Sequence, residues 1–294
     1  MRFIDLAGTG QNKFRHYLAG LLLVIAGWQV IGSIPLAATA MYFVSKGDYT
    51  NIMERMMRGE VIHPNLFLVL MISGFALGLL FLYLAVTRIH KRKFISVVTA
   101  RNKFDTGRFV FAFTLWTLTG LLLFAVEYFL DPGNFRFQFD PAPFFSLLVI
   151  SLLLLPVQTG FEEIFFRGYL LQGLKRTTHS TTIALIISSV IFGLMHGLNP
   201  EVAELGYGAL IYYIGTGLFF AVIAHLDDGL ELPMGFHAAN NIFAAVWVTT
   251  DWSVFRTPAL FLDISEPDTT WLIYLPVFVI YPLVFFIVKR KYRF

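Results

Sequence analysis

Long apolar stretches alternate along this chain with short clusters of charged residues, glycine and proline. A helix needs about 20 largely apolar residues to cross a bilayer. Eight segments approach that length, near 17–44, 66–88, 109–129, 143–172, 181–198, 207–226, 234–250 and 271–288. The predicted fold class is therefore all-α, a polytopic membrane helix bundle of about eight transmembrane helices. The fourth segment is long enough to tilt or break, and the seventh is short and more polar than the others. Pro35, Pro156, Pro276 and Pro282 fall inside spans, where kinks packed against neighbouring helices are expected. Pro233 marks a helix start.

Composition agrees with the pattern. The chain is 57% apolar and 14% charged, with a mean hydropathy of +0.69, whereas soluble domains carry roughly 25% charge. No soluble stretch is long enough to bury a core of its own, so the membrane bundle is the fold. The chain has 0 cysteines, which removes disulfides, thiolate ligands and a cysteine nucleophile together. The net charge is only +3, and nothing in it calls for a nucleic-acid partner; its distribution is more informative. Eight spans put both termini on one side. That side carries sixteen Lys and Arg, in 1–16, 88–108, 175–176 and the tail 289–293, against five on the other: Lys46, Arg55, Arg58, Arg136 and Arg256. The positive-inside rule then puts both termini in the cytoplasm. The basic loop 88–108 is expected to be a solvated, topology-setting loop, with lipid headgroup contact as the alternative. Asp227 and Asp228 are likewise expected to be solvated turn residues. The apolar run from Tyr17 to Ile34 exceeds the 7–15 residue core of a signal peptide, so an uncleaved first helix is expected.

Three polar fragments interrupt the greasy sequence: Glu162-Glu163-Ile-Phe-Phe-Arg167, Phe192-Gly-Leu-Met-His196 and His237-Ala-Ala-Asn-Asn241. Ionisable groups at membrane depth are costly and persist mainly where they pair, line a wet cavity or do chemistry. Residues four apart share a helix face. Glu163 can therefore pair with Arg167, leaving Glu162 for other work. Phe192 shares a face with His196, and His237 with Asn241. A carboxylate and an imidazole can activate water as general base, a task suited to Glu162 and His196. Donors aimed at a developing oxyanion supply the largest electrostatic contribution to acyl transfer, a task suited to His237 and Asn241. Alternatively, Glu162, His196 and His237 form a candidate zinc ligand set with an open position.

A bland reading stands beside each of these. An intramembrane Glu–Arg pair is often a structural clamp, and for Glu163 and Arg167 that reading is preferred. A lone intramembrane His or Asn can be interhelical glue. Other hydrolases and nucleotide enzymes are excluded by missing parts. The chain has no His-Glu-x-x-His, no Gly-x-Gly-Asp, no Gly-x-Ser-x-Gly elbow, no P-loop and no dinucleotide fingerprint. It also shows no internal repeat, which counts against a transporter built from two related halves.

Taken in order, Glu-Glu-x-x-x-Arg, Phe-x-x-x-His and His-x-x-x-Asn on hydrophobic segments resemble the CPBP family of CAAX proteases and bacteriocin-processing proteins, which includes the Ras-converting CAAX endopeptidase. The resemblance covers roughly 143–250. It implies three regions: an N-terminal membrane region 1–142 with the basic loop, a catalytic core 143–250, and a final helix and basic tail 251–294. It implies an intramembrane endopeptidase in which Glu162 and His196 activate water, His237 and Asn241 stabilise the oxyanion, and Glu163, Arg167 and Phe192 support them. The family is described both as a metalloprotease and as a glutamate protease, so a zinc cofactor stays open beside a metal-free route. Implied partners are membrane lipid and a protein or peptide substrate, lipid-modified in some members. The alternative function is a non-catalytic membrane interaction or bacteriocin-immunity protein using the same fold.

Overall fold

The computed structural model describes residues 1–47, 50–267 and 271–294. Among the described residues five helices are long and apolar enough to cross a membrane: α1 (Phe14–Ser45), α3 (Pro64–Ile89), α4 (Thr106–Leu130), α5 (Pro141–Thr178) and α8 (Ala209–Leu226). A sixth, α6 (Thr181–Met195), is apolar but shorter. Two more, α9 (Glu231–Val246) and α10 (Tyr281–Tyr292), occupy the seventh and eighth predicted segments, the latter preceded by a wide π turn at Pro276–Ile280. Short helices α2 (Ile52–Met57) and α7 (Pro200–Leu205) lie in the connections. The chain is a multi-pass integral membrane protein.

Helix starts follow local chemistry. The Asp105 carboxylate accepts the Arg108 amide at the head of α4, and the Ser180 hydroxyl accepts the Ile183 amide at the head of α6, each satisfying a backbone donor that has no partner inside the helix. α9 packs against α4 and α5, and α6 against α8. Gly235 makes the α9–α4 contact possible, because a Cβ there would lie 2.4 Å from the Phe109 carbonyl oxygen.

The all-α expectation needs one amendment. Strands β1 (Phe135–Phe137), β2 (Val248–Thr250) and β3 (Phe261–Asp263) form a small sheet in the order β1-β3-β2, with β1–β3 antiparallel and β2–β3 parallel. Only three residues long, each strand is too short to show an alternating pattern in sequence.

The basic loop is solvated only in part: Arg88, Lys91, Lys93 and Lys103 are exposed, but the rest is built into the fold. His90, Arg92, Ser96, Val97 and Thr99 are buried. The Val97 carbonyl rests on Gly168 of α5, where a Cβ would come within 2.0 Å of it. Thr99 bridges to Gly229, the Ala100 amide donates to the Asp228 carbonyl, and the Leu230 amide donates to the Val98 carbonyl. Nor is Asp227 a free turn residue. At 4% exposure it takes Arg101 at 3.1 Å and Arg108 at 3.1 Å, while Arg101 also reaches Glu231 at 3.1 Å. Buried carboxylates need such partners to be tolerated. Arg2 pairs with Asp228 at 2.9 Å, so the N-terminus, the loop and the α8–α9 turn form one polar end. The opposite end holds the sheet, α2 and α7, where the Val254 amide donates to Glu201 and the Gln138 amide to the Leu260 carbonyl.

Candidate active site

α5 does not run uniformly through its polar segment. It is α-helical to Glu163, widens to a π turn over Ile164–Leu170, and resumes at Leu171. Such turns loosen the backbone ladder and recur at functional sites. Here the Phe166 carbonyl also accepts the Ser188 hydroxyl from α6 at 2.8 Å.

Glu163 and Arg167 are both fully buried and pair at 3.0 Å, with Arg167 also donating to the Gly217 carbonyl of α8 at 3.3 Å. Glu163 does more than the clamp expected of it. The same Oε1 takes Nδ1 of His237 at 2.7 Å, so one carboxylate ties α5 to α9 and fixes the imidazole. A carboxylate can only accept, so His237 donates from Nδ1 and turns Nε2 toward Glu162, whose Oε2 lies 3.8 Å away. Gln158, one turn before Glu162, donates to its Oε1 at 3.2 Å.

The predicted fifth span overruns its helix: α6 stops at Met195, and His196 is the residue that caps its end. The Phe192–His196 relation survives in another form. Nδ1 of His196 lies 2.8 Å from the Phe192 carbonyl, and the two rings lie 4.7 Å apart. Since a carbonyl only accepts, Nδ1 carries the proton, and in the neutral ring Nε2 keeps its lone pair. The Tyr213 ring stacks on the imidazole at 4.4 Å and 19°. Phe192 also lies beneath the Arg167 guanidinium, 4.0 Å from its centroid, a cation–π contact.

On α9, Asn241 is oriented by a relay. The Trp116 indole N–H, which can only donate, gives its proton to Asn240 Oδ1 at 3.2 Å. That leaves Asn240 Nδ2 to donate to Asn241 Oδ1 at 3.2 Å. Asn241 therefore keeps its own Nδ2–H donors free.

Glu162, Phe192, His196, His237 and Asn241 all line one cavity of about 540 Å³, while Glu163 and Arg167 stand behind its wall. Four further residues here lay outside the three sequence fragments' readings: Gln158, Asn240, Trp116 and Tyr213. Gln158 sits four before Glu162 and Asn240 next to Asn241, so spacing could have found both. Trp116 and Tyr213 carry no contrast with their apolar surroundings and gave no signal. The candidate zinc set Glu162, His196 and His237 shares this lining. Among the described residues no group of three or more His, Cys, Asp or Glu is disposed to hold a metal ion.

Residues 142–243 match the family described as Type II CAAX prenyl endopeptidase Rce1-like. The chain is also 29% identical over 273 residues to the uncharacterized protein YyaK of Bacillus subtilis (strain 168), an alignment that spans 92% of this chain and 89% of the relative. No solved structure matches it significantly.

Proposed function

With residues 142–243 belonging to the Rce1-like family of type II CAAX prenyl endopeptidases, we propose that this protein is an intramembrane endopeptidase that hydrolyses a peptide bond by direct attack of water. The observation that carries this reading is the orientation of His196. Its Nδ1 is spent on the Phe192 carbonyl, so Nε2, which has no partner among the described residues, and the Glu162 carboxylate serve the same cavity. In the proposed reaction, water held by His196 Nε2 gives a proton to Glu162 as its oxygen bonds to the carbonyl carbon. The displaced electron pair forms an oxyanion that takes Asn241 Nδ2–H and, when His237 carries both protons, His237 Nε2–H. Collapse breaks the C–N bond, and the proton on Glu162 passes to the leaving amine. Glu163 and Arg167 are positioning residues that hold His237. Trp28, Phe75 and Met195 give the cavity an apolar flank, which suits a lipid-modified or membrane-buried peptide.

The test is hydrolysis of a membrane-anchored peptide by purified protein in lipid. Glu162→Gln keeps the shape and removes the base, and a loss of about 10²–10⁴-fold is expected, with turnover persisting after exhaustive chelation. Stoichiometric zinc whose removal and return abolish and restore activity would overturn the metal-free route. A Glu162→Gln protein that works like the wild type would leave the non-catalytic membrane partner as the reading.

A further inference from the structure

The cavity is sealed at one end of the bundle and reached from the other, and that geometry has a sidedness. The polar end formed by residues 2–16, 88–108, 172–180, 225–231 and the C-terminal tail contributes no residue to the lining. Between that end and the site lies a closed layer. Phe166 and Phe220 are 2% exposed, and Arg167, Leu230 and Phe236 are fully buried. Part of the lining, Trp28, Gln29, Phe75 and Trp116, lies midway along α1, α3 and α4, and the rest of it reaches toward the opposite end. His196 and Asn199 follow the far terminus of α6, Tyr212 and Tyr213 sit in the first turn of α8, and Val254 and Phe255 follow β2. The rim is open there: Leu198, which lines the cavity, is 99% exposed, and Met195 is 49% exposed.

The charge bias fixes which end is which. Most Lys and Arg, sixteen against five, collect at the sealed end, and such an excess marks the cytoplasmic face. We infer that the cavity opens toward the extracytoplasmic side, and that the substrate is a peptide segment displayed there or at the outer leaflet. A segment presented from the cytoplasm would have to pass the layer around Arg167. This inference refines the peptidase reading, on which its word "substrate" rests, but the sidedness of the opening is measurable without any turnover.

The absence of cysteine makes the chain its own background for the experiment. Leu198→Cys and Arg176→Cys, both at exposed positions, are treated with a membrane-impermeant maleimide in intact cells and in inverted membrane vesicles. The expected result is labelling of Leu198→Cys in intact cells and of Arg176→Cys in inverted vesicles only. The same pattern should appear in the Glu162→Gln background, which separates the sidedness from catalysis. Labelling of Leu198→Cys only in inverted vesicles, or in neither preparation, would overturn the inference, since the cavity would then be reached from the cytoplasm or from lipid alone.

Discussion

Glu163 is the residue on which the site turns, because its single oxygen Oε1 meets both Arg167 and His237. The i,i+4 spacing made the Glu163–Arg167 pair legible, since charged residues stand out in an apolar helix. The link to His237 crosses 74 positions and had no local signature. The Trp116–Asn240–Asn241 relay was equally hidden, as one more tryptophan among apolar neighbours carries no contrast. It yields a specific expectation. Trp116→Phe keeps the ring and removes the N–H that orients Asn240, so Asn241 should lose its fixed amide orientation. Losing an oxyanion donor outright costs about 10²–10³ in kcat, and loosening one should cost less, on the order of 10-fold on the same scale. Steady-state kinetics should show the fall in kcat with KM held. An unchanged kcat would remove Asn241 from the oxyanion role.

Among the elements, helix existence was readable and helix interruption was not. Apolar runs located the spans, but α6 ends before His196, and the π turn at Ile164–Leu170 has no compositional mark. The basic loop was misread in part, because charge was taken as a sign of solvation: Arg88, Lys91, Lys93 and Lys103 are exposed, whereas Arg101 and Arg108 are neutralised by Asp227 and Glu231. His90 shows the consequence. It donates through Nδ1 to the Gln11 carbonyl at 2.6 Å and accepts the Tyr169 hydroxyl through Nε2 at 2.8 Å. Burial lowers its pKa to about 4, with Arg92 adding to the shift and the Gln11 carbonyl opposing it. The unfolded chain would hold that proton near pH 6.5, so unfolding takes up a proton between the two values. Its contribution to stability is complete above about pH 6.5 and is lost as pH falls toward about 4. Thermal unfolding in detergent should record a falling Tm over that window, and His90→Gln should flatten it. An equal slope in the variant would assign the pH dependence elsewhere.

The whole molecule sorts its charge by end, and contacts rather than counting now define those ends. Arg2 meets Asp228, Arg108 lies over Tyr292 and Lys291 over Phe111, so both termini and the loop share one face. A reporter fused after Phe294 should therefore read out in the cytoplasm, as the charge bias requires. Activity of an exported reporter at that position would reverse the orientation. Hydropathy located the apolar segments because it depends only on composition. Of the eight expected spans, however, five, among the described residues, are helices long and apolar enough to cross a membrane, and a sixth is apolar but shorter. The small sheet at the other end was not legible, since its pairing depends on a connection between residues far apart in sequence.

The wide turn in α5 also changes how that 38-residue helix can be regarded mechanically. A straight rod would index every side chain to every other, so that setting the angle of one end set the angle of the other. With a π turn between them, α5 is two shafts meeting at a joint. The inner shaft takes its angle from Gln172, which holds the Phe3 and Ser96 carbonyls at 2.9 Å and receives Arg92 at 2.6 Å. The outer shaft takes its angle from Gln158 and Glu162. Arg167 sits in the joint itself, its guanidinium held by Glu163 and by the Gly217 carbonyl of α8.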